Sequence, residues 1–568
     1  MMRLLTSTLV FTFAVCLSVS KANAADSAVD LQVIHKIKDQ ALLHSKVMDY
    51  MHIIADENGP RLSGSPGYTR AAQLAVKAFK DDGITRASLE PWGVFGRGWS
   101  WSRIAVQMKQ PHETTLTGFP ADWSGATEGP VSGEVVFAPL WEEDERPQVR
   151  DLEKTARQIE VYKAKYAGKL AGKVLMRSHP APFKLPAEPE KYRFDDEAMA
   201  ELAKANTPGI SPEIEWPLLK SPLDKDERDR LYDKVPLEIL ADQWLLDLEL
   251  GNRLAKFYAD EGVAAILTNG WSRTAGVIMD SDYGSFRDGD PIPPATAVLT
   301  HEHYNRLHRL LEREVNVVVE VDVDAEFHGP AIEGLNVIAE IPGKGRSDEV
   351  VMLGAHLDSW HSATGATDNA SGVAVVMEAM RILKASKLPM KRTVRAALWD
   401  AEEQGLFGSR GYVAKHYGDP ISMKLKSEHK KLSVYFNLDN GGGKIRGVYL
   451  QQNDAARPLL SSWLAPFADM GVTTSTITNT GSTDHRSFDA VGLPGFNFVQ
   501  DPLDYSVNTH HSNVDHVDHI VPGDLMQAAA VMAATVYHAA MSDEMMPRKP
   551  LPSPLPKKNP LPEILQPQ

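Results

Sequence analysis

The chain has a single cysteine, Cys16, among its 568 residues. It lies in an N-terminal stretch that we expect to be removed, so the mature protein would contain no thiol. Disulfides, thiol catalysis and cysteine-based zinc sites are therefore excluded. Any bound metal has to be coordinated by His, Asp and Glu.

Beyond the N-terminus, the sequence also has no apolar run approaching the about 18–20 residues that cross a bilayer. We therefore expect no transmembrane segment in the mature chain. Basic residues do not dominate either, since 60 Lys and Arg stand against 75 Asp and Glu and the net charge is −15. A general nucleic-acid binder is disfavoured, because neutralising phosphates requires a cationic surface.

Residues 1–24 are typical of a cleavable signal peptide. Arg3 supplies the charge, Leu4–Val19 the apolar stretch, and Ala22-Asn23-Ala24 the small residues of a cleavage site. An uncleaved anchor is a weaker alternative, because the stretch is short and interrupted by Thr and Ser. A lipoprotein site at Cys16 is weaker still, because Phe13 and Val15 are bulky where small residues would suit it. The prediction is a secreted or periplasmic protein.

The composition, with 43% apolar and 24% charged residues, is that of a globular protein. At roughly 100–200 residues per domain, we expect two or three domains. Changes in pattern along the chain suggest five segments: a signal peptide (1–24), the first part of a main domain (25–113), a β-rich insertion (114–328), the main part of the main domain (329–545) and a disordered Pro-rich tail (546–568). Within the insertion, residues 180–232 form a long surface segment that is rich in Pro and charge.

After Gly329 the pattern becomes β-α-β. Nearly all-apolar runs alternate with helical periodicity and end in an Ala-rich helix at Leu525–Met541; the runs are Val350–Gly354, Val394–Trp399, Ser433–Leu438 and Gly495–Val499. Buried strands that alternate with helices predict an α/β fold, with a mixed, largely parallel sheet sandwiched by helices.

Polar residues follow each of these strands. In chain order they are His356 and Asp358, then Glu402 and Glu403, then Asp439, then His510, His511 and Asp515, while Asp368 lies in a further loop that opens a helix. Each has an ordinary explanation, such as helix capping by Asp368 or a solvated charge pair. Ligands of open α/β sheets gather at the carboxyl ends of strands, however, and all these residues converge there.

The residue types then limit the chemistry. The sequence has no Gly-x-Ser-x-Gly elbow for a hydrolase serine and no complete phosphate-binding loop. Two imidazoles with several carboxylates suit zinc, or a close relative, better than calcium or magnesium.

The motifs at these positions resemble those of the co-catalytic dizinc exopeptidases, a family that includes secreted aminopeptidases and carboxypeptidase Q. They comprise Gly354–Trp360, Gly365–Gly372, Ala401–Ser409, Asn437–Asp439, Thr483–His485 and Gly492–Pro494. The resemblance implies the zinc exopeptidase fold and two Zn²⁺ per chain, bridged by Asp368. One zinc would take His356 and Asp439, and the other Glu403 and His511.

The same resemblance implies catalytic roles. Glu402 would be the general base, Asp358 would orient His356, and the Asp368–Asn369 peptide would be cis. His510, His516 and His519 lie close enough to His511 in the sequence to compete with it as the ligand. The group that stabilises the substrate carbonyl is open, with Tyr505 and His510 as candidates.

The expected function is exopeptidase hydrolysis of short peptides or dipeptides, most simply as an aminopeptidase. The alternatives are a carboxypeptidase Q-like dipeptidase, a non-catalytic binding protein on the same fold, as in the transferrin receptor, and a single-zinc acyltransferase resembling glutaminyl cyclase. Residues 114–328 resemble a protease-associated domain that could narrow the entrance to the site. A homodimer is a further possibility.

Overall fold

The computed structural model describes residues 29–180, 191–204, 214–270, 274–279, 284–481 and 483–566. The predicted signal peptide lies outside these ranges. Within them, no helix combines the length and the apolar character that spanning a bilayer requires.

Helices and strands alternate along most of this chain. The helices are α1 (Leu31–Leu43), α2 (Val47–Met51), α3 (Pro66–Asp81), α4 (Leu152–Tyr166), α5 (Asp196–Leu202), α6 (Lys225–Tyr232), α7 (Leu237–Asp260), α8 (His301–Leu311), α9 (Ser371–Ala385), α10 (Phe407–His416), α11 (Arg457–Leu464), α12 (His485–Asp489) and α13 (Pro522–Met541). The strands are β1 (Arg86–Gln110), β2 (Thr114–Thr115), β3 (Gly118–Pro120), β4 (Val131–Phe137), β5 (Val149–Asp151), β6 (Val174–Met176), β7 (Lys220–Pro222), β8 (Ala265–Asn269), β9 (Thr296–Leu299), β10 (Val318–Ile341), β11 (Arg346–His356), β12 (Arg392–Trp399), β13 (Gly418–Asp419), β14 (Lys424–Leu425), β15 (Leu432–Asn437), β16 (Ile445–Tyr449), β17 (Thr474–Thr476) and β18 (Gly495–Gln500).

The mixed, largely parallel sheet predicted from the sequence is confirmed. Its central strands run in the order β17-β16-β18-β15-β11-β12-β10, and the four apolar runs predicted as strands are β11, β12, β15 and β18. The pairs β12–β11, β11–β15 and β15–β18 are all parallel, so their carboxyl ends lie along one edge. The buried Ala-rich helix α13 packs against α9 on one face of the sheet.

Two long strands connect the central strands with the strands of the segment 114–328. β1 and β10 pair antiparallel over nearly their whole lengths, with register shifts around the glycines of the aromatic Pro91–Trp99 stretch. The start of β10 pairs with β4, and its end pairs with β12. β10 therefore runs without a break through residue 329, where the sequence had suggested a domain boundary.

The segment 114–328 contains more helix than the β-rich character predicted from its sequence would imply. β4, β6, β8 and β9 form a parallel sheet extended by the antiparallel β3, and the long helices α4, α7 and α8 belong to the same segment. Helix α7 was missed because it buries residues on more than one face, from Leu237 and Leu240 to Leu246 and Leu250. That distribution blurs the 3.6-residue period of a surface helix.

The Pro-rich C-terminal segment differs from the disordered tail that its composition suggested. The Asn559 N–H donates to the carbonyl of Trp216 at 2.7 Å, and Arg253 of α7 donates to the carbonyl of Ile564 at 2.8 Å. Leu565 is 2% exposed and packs in a cluster with residues of α4 and α7. Apolar residues between the prolines therefore dock this segment along one face of α7.

We predict that Leu565→Ala lowers the free energy of unfolding by about 2–5 kcal/mol, the usual cost of truncating a buried leucine. Leu551→Ala is the matched control, because Leu551 lies in the same segment and is 55% exposed. The control should change stability by less than about 0.5 kcal/mol. Chemical denaturation of both variants tests this, and equal stabilities would contradict a docked C-terminus.

Candidate metal centre

The titratable residues predicted from the sequence lie together at the carboxyl edge of the sheet. His356 ends β11, Glu402 and Glu403 follow β12, and Asp439 follows β15. His511 lies in the loop between β18 and α13, and Asp368 lies in the turn that opens α9. Strand ends and loops from five parts of the sequence therefore meet at one place.

The side chains form two pairs. His356 Nε2 lies 3.3 Å from Asp439 Oδ1, and His511 Nε2 lies 3.0 Å from Glu403 Oε2. Asp368 lies between the pairs, with Oδ1 3.2 Å from His356 Nε2 and Oδ2 3.3 Å from His511 Nε2. The carboxylate of Asp368 thus faces one pair with one oxygen and the other pair with the second oxygen.

These separations fit zinc. Two ligands at zinc distances of about 2.0–2.1 Å in tetrahedral geometry lie about 3.3 Å from each other. The four separations measured above run from 3.0 to 3.3 Å. The donor set of imidazole and carboxylate groups also suits zinc, so the residues present fit the metal that the sequence predicts.

Several polar atoms of this cluster are buried without a hydrogen-bond partner among the described residues, namely His356 Nε2, Asp368 Oδ2 and Glu403 Oε1. Leaving such an atom unsatisfied costs about 1–3 kcal/mol, and more when the group is charged. The three residues offer ligand atoms that lie within 4.8 Å of one another. Cations held there would satisfy them.

The pKa values of the cluster also indicate a site for cations. Burial, followed by the charge of Asp368, raises the pKa of Glu403 well above its ordinary value, and burial likewise raises the pKa of Glu402. Burial opposes the charged form of His356, but the carboxylates of Asp439 and Glu402 outweigh it and raise the pKa of His356. Without cations, the cluster therefore retains protons that metal binding would release.

Asp358 contacts both His356 and the glutamates. Its backbone carbonyl lies 3.0 Å from His356 Nδ1, whereas its carboxylate lies 3.6 Å away, beyond hydrogen-bond distance. The carboxylate accepts the backbone N–H groups of Glu402 and Glu403, each at 3.2 Å. Asp358 thus fixes the imidazole through its carbonyl and the glutamate loop through its side chain.

Asp515 has a positioning contact that the sequence did not reveal. Its carboxylate accepts the backbone N–H of Thr367 at 2.7 Å and that of Asp368 at 3.1 Å. The Asp368–Asn369 peptide is cis, as the resemblance implied. In the first turn of α9, the Gly372 N–H donates to Asn369 Oδ1 at 3.0 Å, and the carboxylate of Asp368 faces the histidines.

The neighbouring histidines differ in their distance from the cluster. His510 stacks on His511 with ring centroids 3.8 Å apart, and its Nε2 is 3.9 Å from Asp368 Oδ2. His519 pairs with Asp504 at 2.7 Å, and His516 lies beside Thr364. The ring of Tyr505 packs 4.9 Å from that of His510, so both candidates for stabilising the carbonyl adjoin the cluster.

A buried arginine supports the loop between His356 and Asp368. Arg61 has no exposed surface and donates to the carbonyls of Leu357 at 2.7 Å, Thr364 at 2.6 Å and Gly365 at 2.9 Å. Burial lowers the pKa of Arg61 to about 10, which leaves it charged at neutral pH. One side chain thus connects both ends of the loop that links His356 to Asp368.

We predict that Arg61→Leu destabilises the protein by about 3 kcal/mol or more, because several buried carbonyls lose their donor. Activity should fall as well, since the loop positions His356 and Asp368. Arg70→Leu is the matched control, because Arg70 is exposed on α3. Thermal unfolding of the two variants tests this, and an unchanged Tm for Arg61→Leu would contradict the supporting role.

The fold resembles that of solved peptidases. With the crystal structure of a peptidase M28 precursor from Shewanella amazonensis SB2B, the TM-score is 0.62 at 22% sequence identity, covering 93% of this chain and 99% of that one. Residues 336–536, which contain all the residues of the two pairs and Asp368, match the family model of peptidase family M28. This part of the chain is therefore similar to that family.

Curated relatives match parts of the chain. Carboxypeptidase Q of Mus musculus is 32% identical over 263 residues, which cover 46% of this chain and 53% of the mouse protein. Aminopeptidase YwaD of Bacillus subtilis is 33% identical over 202 residues, covering 34% of this chain and 42% of the relative. The chain thus spans about half the length of these relatives. Their names specify opposite ends of a peptide, one the carboxyl end and the other the amino end.

Proposed function

We propose that the protein is a zinc-dependent exopeptidase that removes single residues from short peptides. The observation that carries this proposal is the position of Asp368, whose two oxygens face His356 on one side and His511 on the other. In the proposed site, His356 and Asp439 hold one zinc, Glu403 and His511 hold the second, and Asp368 is shared.

When bound, zinc supplies positive charge that polarises the substrate carbonyl and acidifies water. Glu402 is buried beside His356 and Asp439, and groups of all three residues lie within 4.8 Å of one another. In the proposed reaction, Glu402 accepts a proton from the attacking water as the oxygen of that water bonds to the carbonyl carbon. Glu402 then passes the proton to the leaving amine as the C–N bond breaks.

The charges beside the site favour a substrate bound by its amino end. The cavity there is lined by three carboxylates, Asp368, Glu403 and Asp515, and by no lysine or arginine among the described residues. The zinc ions neutralise Asp368 and Glu403 in the proposed site, but the described lining still contains no cationic side chain that could pair with a free α-carboxylate. We therefore propose an aminopeptidase, exported by residues 1–24, in which the segment 114–328 limits access to short peptides.

A carboxypeptidase Q-like dipeptidase is the second candidate. The alignment with mouse carboxypeptidase Q favours it, since it covers more of this chain than the alignment with the aminopeptidase of Bacillus subtilis. Both candidates use the same metal chemistry and differ in how the substrate is anchored.

Hydrolysis of a small substrate panel by the mature protein tests the proposal, using amino-acid amides, free dipeptides and N-acetylated dipeptides, each with zinc and with chelator. The aminopeptidase proposal predicts zinc-dependent cleavage of amides and free dipeptides, blocked by N-acetylation. Cleavage of free dipeptides but not of amides would favour the carboxypeptidase Q-like candidate. A protein that binds two zinc ions and cleaves none of these would contradict the proposed function.

A further inference from the structure

Arg193, which belongs to the segment 114–328, contacts the loop between β18 and α13 that carries His511. Its guanidinium pairs with Asp501, the first residue after β18, with Nη1 3.1 Å from Oδ2. The same Nη1 donates to Asp524 in the first turn of α13. One side chain therefore connects the two ends of the loop that carries a proposed zinc ligand.

Both carboxylates in this contact are buried. Asp501 has no exposed surface, and Asp524 is 7% exposed. Arg446 of β16 also pairs with Asp501, at 2.7 Å, whereas Asp524 accepts the backbone N–H of Lys444 at 3.1 Å. Buried charges in proteins are paired with opposite charges and hydrogen-bonded, because their desolvation is costly. Loss of Arg193 would therefore leave two buried carboxylates with one arginine between them.

The backbone on either side of this arginine holds the same part of the loop. The Phe194 N–H donates to Asp501 Oδ1 at 3.0 Å, and the Leu503 N–H donates to the carbonyl of Tyr192 at 2.9 Å. Leu503 has a φ of +43°, a conformation that residues with a Cβ rarely adopt, so its surroundings have to maintain it. Three consecutive residues of the segment 114–328 thus fix the start of the loop.

Backbone hydrogen bonds connect this fixed start with the ligand. The Tyr505 N–H donates to the carbonyl of Pro502 at 3.0 Å, and the His510 N–H donates to the carbonyl of Tyr505 at 2.9 Å. His511 follows directly and has a φ of +53°, another left-handed conformation. A shift at the start of the loop would therefore reach the ligand through a short, hydrogen-bonded turn.

We propose that Arg193 is a positioning residue for the metal centre, through which the segment 114–328 holds His511 in place to bind the second zinc. The inference rests on the proposed function, because it requires zinc at His511 and Glu403. It goes beyond that function by giving the segment a part in metal binding as well as in limiting access. A purely structural contact would instead stabilise the fold without affecting one zinc position more than the other.

Calorimetric titration of the metal-free protein with zinc tests this inference. Arg193→Gln removes the charge that pairs with both carboxylates, at a side chain that is 41% exposed and therefore outside the core. Arg230→Gln is the matched control, because Arg230 lies in the same segment and is exposed on α6. Arg193→Lys is the conservative variant, since one nitrogen makes both contacts and an ammonium group can take its place.

Two ligand variants assign the effect to one zinc. Asp439→Ala removes a ligand of the first zinc only, and His511→Ala removes a ligand of the second zinc only. In the Asp439→Ala background, Arg193→Gln should raise the zinc Kd about 10-fold, the lower end of the about 10–100-fold that losing a group behind a metal ligand costs. In the His511→Ala background the Kd should change less than about 2-fold. Arg230→Gln should change neither Kd, and Arg193→Lys should keep the Kd of its background.

Asp524→Asn tests the same contact independently and keeps the inference testable if Arg193→Gln does not fold. It removes the charge at the other end of the contact and should raise the same Kd. Combining it with Arg193→Gln should add little, because the two groups act as one pair.

The outcomes separate this inference from the proposed function. A selective loss of zinc affinity supports the inference even if the wild type hydrolyses no peptide. Equal Kd values for Arg193→Gln and Arg230→Gln, or equal weakening of both zinc positions, would overturn the inference and leave the proposed function in place. A wild type that binds no zinc would contradict both.

Discussion

Glu402→Gln is expected to lower kcat about 10³-fold, within the range of about 10²–10⁴ that general acid–base catalysis contributes. The amide keeps the size of the side chain but cannot accept the proton of the attacking water. Zinc content and KM should change little, because Glu402 is not one of the proposed ligands. Steady-state hydrolysis of a free dipeptide, with metal analysis of the same sample, measures all three quantities.

The stability of this variant provides a further check. Burial raises the pKa of Glu402, so its ionised form is unfavourable in the absence of metal. Replacing it with a neutral amide should therefore not lower the Tm. Glu57→Gln, at an exposed position, is the control for the substitution itself. A variant that keeps more than a tenth of the wild-type kcat would contradict the assignment of Glu402 as the base.

Asp368→Ala is expected to have an equally large effect for a different reason. Its carboxylate lies between the two proposed ligand pairs, so its loss removes a ligand from both. We predict fewer than two zinc ions per chain and a fall in activity of about 10³-fold or more, corresponding to about 4 kcal/mol of lost stabilisation. Metal analysis after dialysis, together with dipeptide hydrolysis, measures both.

The matched control is Asp469→Ala. Asp469 pairs with Lys38 at the surface, and its side chain is 70% exposed. This variant should keep the zinc content and activity of the wild type. Two tightly bound zinc ions in Asp368→Ala would show that Asp368 does not bridge the metals.

The central sheet could be predicted because buried parallel strands are nearly continuous apolar runs. The same rule that brings the carboxyl ends of such strands together predicted where His356, Glu402, Glu403 and Asp439 meet. The assignment of individual ligands went further than spacing allows and depended on the resemblance of whole motifs. In particular, spacing alone does not distinguish His511 from His510, His516 and His519.

Other features depend on contacts between distant residues. The carboxylate of Asp515 holds the N–H groups of Thr367 and Asp368, and Arg61 donates to carbonyls about 300 residues away. Nothing local in either sequence segment marks those partners. The C-terminal segment shows the converse, because its proline content suggested disorder while its leucine and isoleucine residues pack against α4 and α7.

Helix α7 connects these observations. One of its faces is covered by the C-terminal segment, and Trp244 on another lies against Gly405 in the loop that follows Glu402 and Glu403. Because α7 belongs to the segment 114–328, that segment contributes directly to the surroundings of the metal centre.

The measurement that tests the central claim most directly is a zinc titration of the metal-free protein, followed by hydrolysis of a free dipeptide at each step. The account predicts that activity appears on zinc addition and reaches its maximum at two equivalents per chain. Glu402→Gln should bind the same two equivalents without comparable activity. Full activity without metal, or maximal binding of less than one equivalent, would contradict a two-zinc peptidase centre.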